Sequence, residues 1–303
     1  MVGSAMVRRL ERAGHGRIVT RTRAELDLLD QRAVHQFFRD EEIRYAFVAA
    51  GLVGGIVANA SRQADFLYEN LVIAVNVIHA AAETGTEKLL YFGSSCCYPR
   101  LAPQPMREES LLTGPLEETN EGYALAKIVG LKLCEKYRRQ YGKRFTAVVP
   151  SNLYGPHDNF DPVNSHVIAG MLRKMHEAAE SGASEVVLWG TGTPKREFLH
   201  VDDLADAAYM LLSEVGEEPF VNVGSGEEVT IAALAEIVAD VVGFRGRIRF
   251  DPARPDGVPR KIVDSSRIRS LGWQPKLSLS DGVRSAYQWA IDNGVLRQHL
   301  RTP

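Results

Sequence analysis

The chain has 303 residues, 45% of them hydrophobic and 24% charged, with a formal net charge of −2 at pH 7. That length buries an ample core in one large domain or two closely joined ones, and the composition excludes a fibrous or low-complexity protein. Near-neutral charge without a sustained Lys/Arg run argues against nucleic acid or an anionic membrane as a partner.

In chain order, residues 1–10 read directly as a helix. Arg8, Arg9, Glu11 and Arg12 interrupt any apolar run there, so no signal peptide is read. A strand follows at 17–20, then a helix at Gln31–Asp40 and a strand at 45–50. The longest uncharged stretch, 45–60, is too short for the ~20 residues of a membrane span and reads as this strand and a glycine-rich loop. Next come a helix at 64–84, a strand at Lys88–Phe92, a helix at Glu121–Tyr141 and a strand at 145–149. Apolar strands alternating with amphipathic helices predict an α/β fold, a Rossmann-type doubly wound parallel sheet. After Asn152-Leu153-Tyr154-Gly155-Pro156 the loops lengthen and Pro and Gly cluster, which predicts a smaller, mostly α lobe. The expected division is a dinucleotide domain at 1–155, with a return segment near 195–225, and a substrate lobe at 156–194 and 226–303. The cysteines Cys96, Cys97 and Cys134 include an adjacent pair that suits no ordinary disulfide, so a reducing, cytoplasmic setting is expected. No metal site is expected.

Tyr123 and Lys127 stand four apart on a predicted helix and so share a face. An ammonium there favours tyrosinate, so Lys127 is expected to lower the Tyr123 pKa toward working pH. The Lys88–Phe92 strand runs into Gly93-Ser94-Ser95-Cys96, which puts a hydroxyl and a thiol at a strand's C-terminal end, where open α/β sheets keep their sites. A Cys96 base needs an electropositive neighbour to lower a free thiol pKa of ~8.5, and His166 is a candidate. In a dinucleotide fold a strand and a glycine-rich turn precede the first helix; only Gly3 can be the last glycine of such a turn, and the strand and earlier glycines are absent. Arg21 and Arg23 follow the 17–20 segment where an arginine accommodates the 2′-phosphate of NADP, so NADPH is expected over NADH, with Glu25 and Asp27 nearby. Asn152, Lys174, Trp189, Arg196, Arg260 and Lys261 form a polar set suited to a nucleotide-sugar diphosphate.

Ser94, Tyr123 and Lys127 in this order resemble the triad of the short-chain dehydrogenases/reductases. Further blocks run the length of the chain: Arg21-Thr22-Arg23, Gly93-Ser94-Ser95-Cys96, Asn152-Leu153-Tyr154-Gly155-Pro156-His157-Asp158-Asn159-Phe160, Asn164-Ser165-His166-Val167-Ile168, Arg196-Glu197-Phe198-Leu199-His200 and Pro255-Asp256-Gly257. Together they closely resemble the GDP-L-fucose synthases, the 3,5-epimerase/4-reductases of the extended short-chain family. The resemblance implies that Ser94, Tyr123 and Lys127 form the reductase triad and that Cys96 and His166 form an epimerisation pair. NADPH would then lie along Gly3, Arg21, Arg23, Tyr123, Lys127 and His166. A GDP-sugar would lie along Asn152, Lys174, Trp189, Arg196, Asp256 and Lys261, with Lys174 where the family often has arginine. The implied reaction converts GDP-4-keto-6-deoxy-D-mannose to GDP-L-fucose in a homodimer joined through the 64–84 and Glu121–Tyr141 helices. Gly122 replaces a proline common before the tyrosine, and the sheet's first strand is absent, so a non-catalytic sugar-nucleotide-binding remnant is the rival reading. A related nucleotide-sugar epimerase or reductase is another.

Overall fold

The structure is a computed structural model and describes residues 1–162, 164–213, 219–254 and 256–296; Pro255 of the Pro255-Asp256-Gly257 block lies outside them. The first half comprises α1 (Val2–Arg12), α2 (Gln31–Asp40), β1 (Tyr45–Val48), α3 (Ile56–Ser61), α4 (Gln63–Glu83), β2 (Lys88–Phe92), α5 (Glu121–Tyr141) and β3 (Arg144–Pro150). The second half adds β4 (Asn152–Tyr154), α6 (Val167–Glu180), β5 (Glu185–Trp189), β6 (Lys195–His200), α7 (Val201–Ser213) and β7 (Phe220–Val223). It ends with β8 (Glu228–Thr230), α8 (Ile231–Val242), β9 (Arg247–Asp251), β10 (Arg260–Lys261), α9 (Ser266–Ser270) and α10 (Leu279–Asp292).

The main sheet is parallel throughout, in the order β1-β2-β3-β7. Ala46 stands beside Leu89, Leu89 beside Phe145, and Val148 beside Val221. Strands buried on both faces read as near-continuous apolar runs, which is what Leu89-Leu90-Tyr91-Phe92 and, with the one buried Thr146, Phe145-Thr146-Ala147-Val148-Val149 are. One face packs on α2, α4 and α5 through Val34, Ile78, Leu131 and Cys134. The other packs on α1 and α7 through Ala5, Met6, Leu204 and Ala208. Polar contacts also tie α1 to α7: Arg8 reaches Asp202 at 2.5 Å and Arg9 pairs with Asp206.

The predicted strand at 17–20 does not form. The segment joins no ladder, and a cavity of about 1260 Å3 lies between it and β1, lined by Leu10, Ile18, Val19, Leu28, Ala46, Phe47 and Val77. A strand exists only through its hydrogen-bonded neighbour, and apolar character alone cannot supply one. The strand read at 45–50 is shorter, Tyr45–Val48, its ladder with β2 ending at the Val48–Tyr91 pair.

The second lobe is mostly helical, as expected, and carries small sheets besides. β6 pairs with β4, β8 and β10 in a second sheet, and β5 pairs with β9. Of the return segment, β7 rejoins the main sheet whereas β6 does not. Helices α6, α8 and α10 close around Leu172, Met175, Leu234, Val238 and Val283.

Two close approaches fix α5. A Cβ on Gly130 would fall 2.3 Å from the Tyr91 ring, and one on Gly122 would fall 2.5 Å from the Gln63 carbonyl oxygen at the start of α4. Gly122 also donates its N–H to the Gln63 side chain at 3.3 Å. The departure from proline is therefore a packing requirement, because both the missing Cβ and the N–H are used.

Candidate active site

Four of the expected residues meet where β2 ends and α5 begins. Ser94 caps a turn of 3-10 helix, Ser95–Cys97, and its hydroxyl accepts the Cys96 N–H at 3.3 Å. The same hydroxyl interacts with the Cys96 thiol and the Tyr123 phenol. Tyr123 and Lys127 lie one turn apart in α5. The buried Lys127 ammonium sits 5.6 Å from the centroid of the Tyr123 ring and donates to the Phe92 carbonyl at 2.9 Å. This carbonyl terminates β2, so the strand end itself anchors the lysine.

The pKa directions correct one expectation. Burial pushes the Tyr123 phenol up, a Cys96 thiolate would add to that, and the Ser94 hydrogen bond opposes it. Lys127 does not lower it, because its ammonium is turned to the Phe92 carbonyl and is itself desolvated. Burial brings Lys127 down to about 8, against the charge of Cys96. The cysteines diverge. Burial would raise Cys96, but the charge of Lys261 and hydrogen bonds from Ser94, Lys261 and Asn120 outweigh it and hold the thiol below its ordinary value. Its neighbour Cys97, fully buried without such donors, is pushed far up.

The cation beside Cys96 is thus Lys261, with Nζ 3.4 Å from Sγ, and not His166. His166 stands at the N-terminus of α6, with Nδ1 3.8 Å from the Asp158 carboxylate. The Asp158 carboxylate beside it raises its pKa, against burial, and so favours imidazolium. Asn120, three residues ahead of Tyr123, was not anticipated; its Nδ2 lies 3.3 Å from the Cys96 sulfur. Its one sequence signal is its place at the start of α5.

The remaining residues form two outlying groups. Asn152 donates to the Glu197 carbonyl at 2.8 Å. Arg196 donates to the Asp256 carbonyl at 3.4 Å, and the Asp256 carboxylate accepts the Thr191 N–H and hydroxyl, each at 2.7 Å. Lys174 and Arg254 both lie over the ring of the exposed Trp189, at 5.9 and 5.2 Å. Arg260 turns away from Cys96 to Glu228. Across the molecule, Gly3, Arg21 and Arg23 line the cavity beside β1. There Arg21 pairs with Glu41, and Arg23 pairs with Glu69 at 3.2 Å.

A Ser-Tyr-Lys set at a parallel strand end, with Lys127 buried and Ser94 and Tyr123 partly exposed, joined to a thiol held by a lysine, can polarise a carbonyl, protonate its oxygen and remove a neighbouring proton. The family model for the NAD dependent epimerase/dehydratase family matches residues 1–224. The chain belongs to that family. It is 53% identical to the GDP-L-fucose synthase of Escherichia coli (strain K12) over 302 residues, 97% of this chain and 94% of that protein. It is 54% identical to GDP-L-fucose synthase 1 of Arabidopsis thaliana over 293 residues, 97% of this chain and 91% of that protein. Among solved structures it resembles the GDP-mannoheptose C4 reductase MlghC of Campylobacter jejuni with NADP bound, at TM-score 0.89 and 37% identity, covering 96% of this chain and 95% of that one. Among the described residues no helix is long and apolar enough to cross a membrane, and no cluster of His, Cys, Asp and Glu is placed to hold a metal.

Proposed function

We infer that this chain is an NADPH-dependent epimerase/reductase that converts GDP-4-keto-6-deoxy-D-mannose to GDP-L-fucose. The observation that carries this reading is the meeting of Ser94, Tyr123 and Lys127 with a lysine-held thiol at one strand end. A reductase needs only the first three. The thiol is what epimerisation adds, and a non-catalytic remnant would have no chemical use for it.

The residues fit NADPH. A Cβ on Gly3 would meet nothing within 4 Å, so the first turn of α1 presents open N–H groups to a pyrophosphate. A Cβ on Gly51 would come 2.7 Å from Asn70 Oδ1 and 3.8 Å from Lys127 Nζ, so only glycine lets the backbone pass there toward the lysine. Arg21 and Arg23 would hold the 2′-phosphate in competition with Glu41 and Glu69, and Lys127 and His166 would lie along the cofactor. When bound, NADPH supplies the hydride that reduces C4.

The 4-ketone acidifies the protons on C3 and C5. Ser94 and Tyr123 hydrogen-bond the ketone oxygen and stabilise the enolate as its charge develops. Cys96 removes a proton, becoming a thiol, and His166, whose imidazolium form Asp158 favours, returns one to the opposite face. At the reduction step Tyr123 protonates the C4 oxygen. The GDP-sugar would extend along Asn152, Lys174, Trp189, Arg196, Asp256 and Lys261. The dinucleotide part would be 1–155 with a return segment near 195–225, the substrate lobe 156–194 and 226–303, and two copies would join through α4 and α5, whose Tyr68, Leu125 and Tyr141 are exposed.

In deuterated water, Cys96→Ser should abolish label uptake at C3 and C5, because a hydroxyl is a far poorer base than this thiol. Tyr123→Phe should retain some uptake and lose reduction. Uptake at the unmodified rate in the Cys96 variant would refute the assignment.

A further inference from the structure

We propose that Lys261, set on Cys96 from β10, is the positioning residue that makes this cysteine a base at neutral pH, with Asn120 as its second donor. The inference rests on the reading of Cys96 as the epimerisation base and gives Lys261 a part in the reaction chemistry, beyond contact with the nucleotide sugar.

Three observations carry it. Lys261 is half-buried, and among the described residues no carboxylate lies within 4.0 Å of its ammonium, which spends its hydrogen bond on Cys96 Sγ at 3.4 Å. Its neighbour Arg260 is neutralised by Glu228 on the other side of the strand. An unneutralised cation against a sulfur favours the anion, which is the nucleophilic and basic form.

The second observation is a forgone cap. Asn120 occupies the position before α5 where an asparagine side chain ordinarily accepts a helix N–H, a contact worth about 1 kcal/mol. Asn120 makes no such bond. Its Nδ2 donates to Cys96 at 3.3 Å instead, and its Oδ1 is buried without a partner. The local sequence sacrifices helix stability to supply a donor to sulfur.

The third is placement. β10 is two residues long and is held in register against β6, with Lys261 beside Arg196. Immediately after it, the Val263 N–H is bound by the fully buried Glu197 carboxylate at 3.0 Å. The lysine is therefore delivered from a fixed backbone. The other titratable groups around the sulfur are Tyr123 and Lys127 on α5 and Cys97 next in the chain. Lys127 is committed to the Phe92 carbonyl, and Cys97 and Tyr123 oppose a second negative charge. Lys261 is left as the cation in contact with the sulfur.

The first measurement needs neither substrate nor cofactor. Alkylation of Cys96 by iodoacetamide, followed by peptide mass spectrometry from pH 5.5 to 10, reads the thiolate fraction directly. Lys261→Met should move the profile to higher pH and slow alkylation at pH 7 at least tenfold, one unit of pKa being a factor of ten. Lys261→Arg should restore most of the rate, and Asn120→Ala should give a smaller shift in the same direction. Should Lys261→Met fail to melt cooperatively, Lys261→Gln carries the same expectation. An unchanged Cys96 profile in the neutral variants would overturn the proposal, whatever their activity. A shifted profile with undiminished deuterium uptake at C3 and C5 would instead leave Lys261 setting the thiol and remove Cys96 as the base.

Discussion

At the scale of single residues, the site works through burial set against charge. Lys127 is 6% exposed, and its pKa falls from an ordinary ~10.4 to about 8. Between these values the unfolded chain binds the proton that the folded chain has lost, so stability from this group rises with pH. Below pH 8 both states hold it, and the cost of a buried ammonium is fully present. Raising the pH from 7.5 to 9.5 should therefore stabilise the natural protein relative to Lys127→Met by about 2 kcal/mol, as read by urea denaturation of both at each pH. A constant difference would show that the lysine titrates normally. The Tyr-Lys pair was legible in the sequence because four-residue spacing fixes a shared face. The direction of the tyrosine shift was not, because spacing reports a neighbouring charge and says nothing of desolvation. Lys261 was legible as a cation but not as the partner of Cys96, since that contact spans 165 residues.

At the scale of elements, what sequence revealed depended on where each element finds its partners. Helices α2 and α5 carry their instructions locally. Asp30 caps α2 through the Arg32 and Ala33 N–H groups, and Gly142 ends α5 in a left-handed conformation. Both fell within the predicted bounds. Segment 17–20 has strand composition but no ladder, and the second lobe's small sheets consist of two- to six-residue strands too short to show periodicity. Gly122 is an element-scale feature disguised as a substitution. Its backbone lies against the first turn of α4, one residue ahead of Tyr123. Gly122→Ala should lower the melting temperature, at a cost of about 1–3 kcal/mol for overpacking, and should lower kcat for reduction as Tyr123 is displaced. Unchanged melting and kcat would mean that α4 yields without consequence.

At the scale of the whole molecule, the two lobes divide the chemistry. The main sheet and the helix beside it supply Ser94, Cys96, Tyr123 and Lys127, and β10 reaches them with Lys261. The cavity beside β1 has a dynamic consequence. In a parallel ladder alternate residues point their N–H groups to opposite sides, and of the described strands only β2 borders β1. Within Tyr45–Val48, therefore, half of the amides are locked into the sheet and half open onto the cavity. Amide hydrogen exchange, followed by nuclear magnetic resonance on the 303-residue chain, should divide this one strand into two classes. The amides bonded to β2 should be as protected as those of β2 and β3. Those facing the cavity should exchange orders of magnitude faster, through local opening alone. Uniform protection along β1 would mean that its outer edge is paired in solution. With alternating protection, the strand carrying the loop to Gly51 is clamped along one edge only, and motion there reaches the Lys127 ammonium without any unfolding of the sheet.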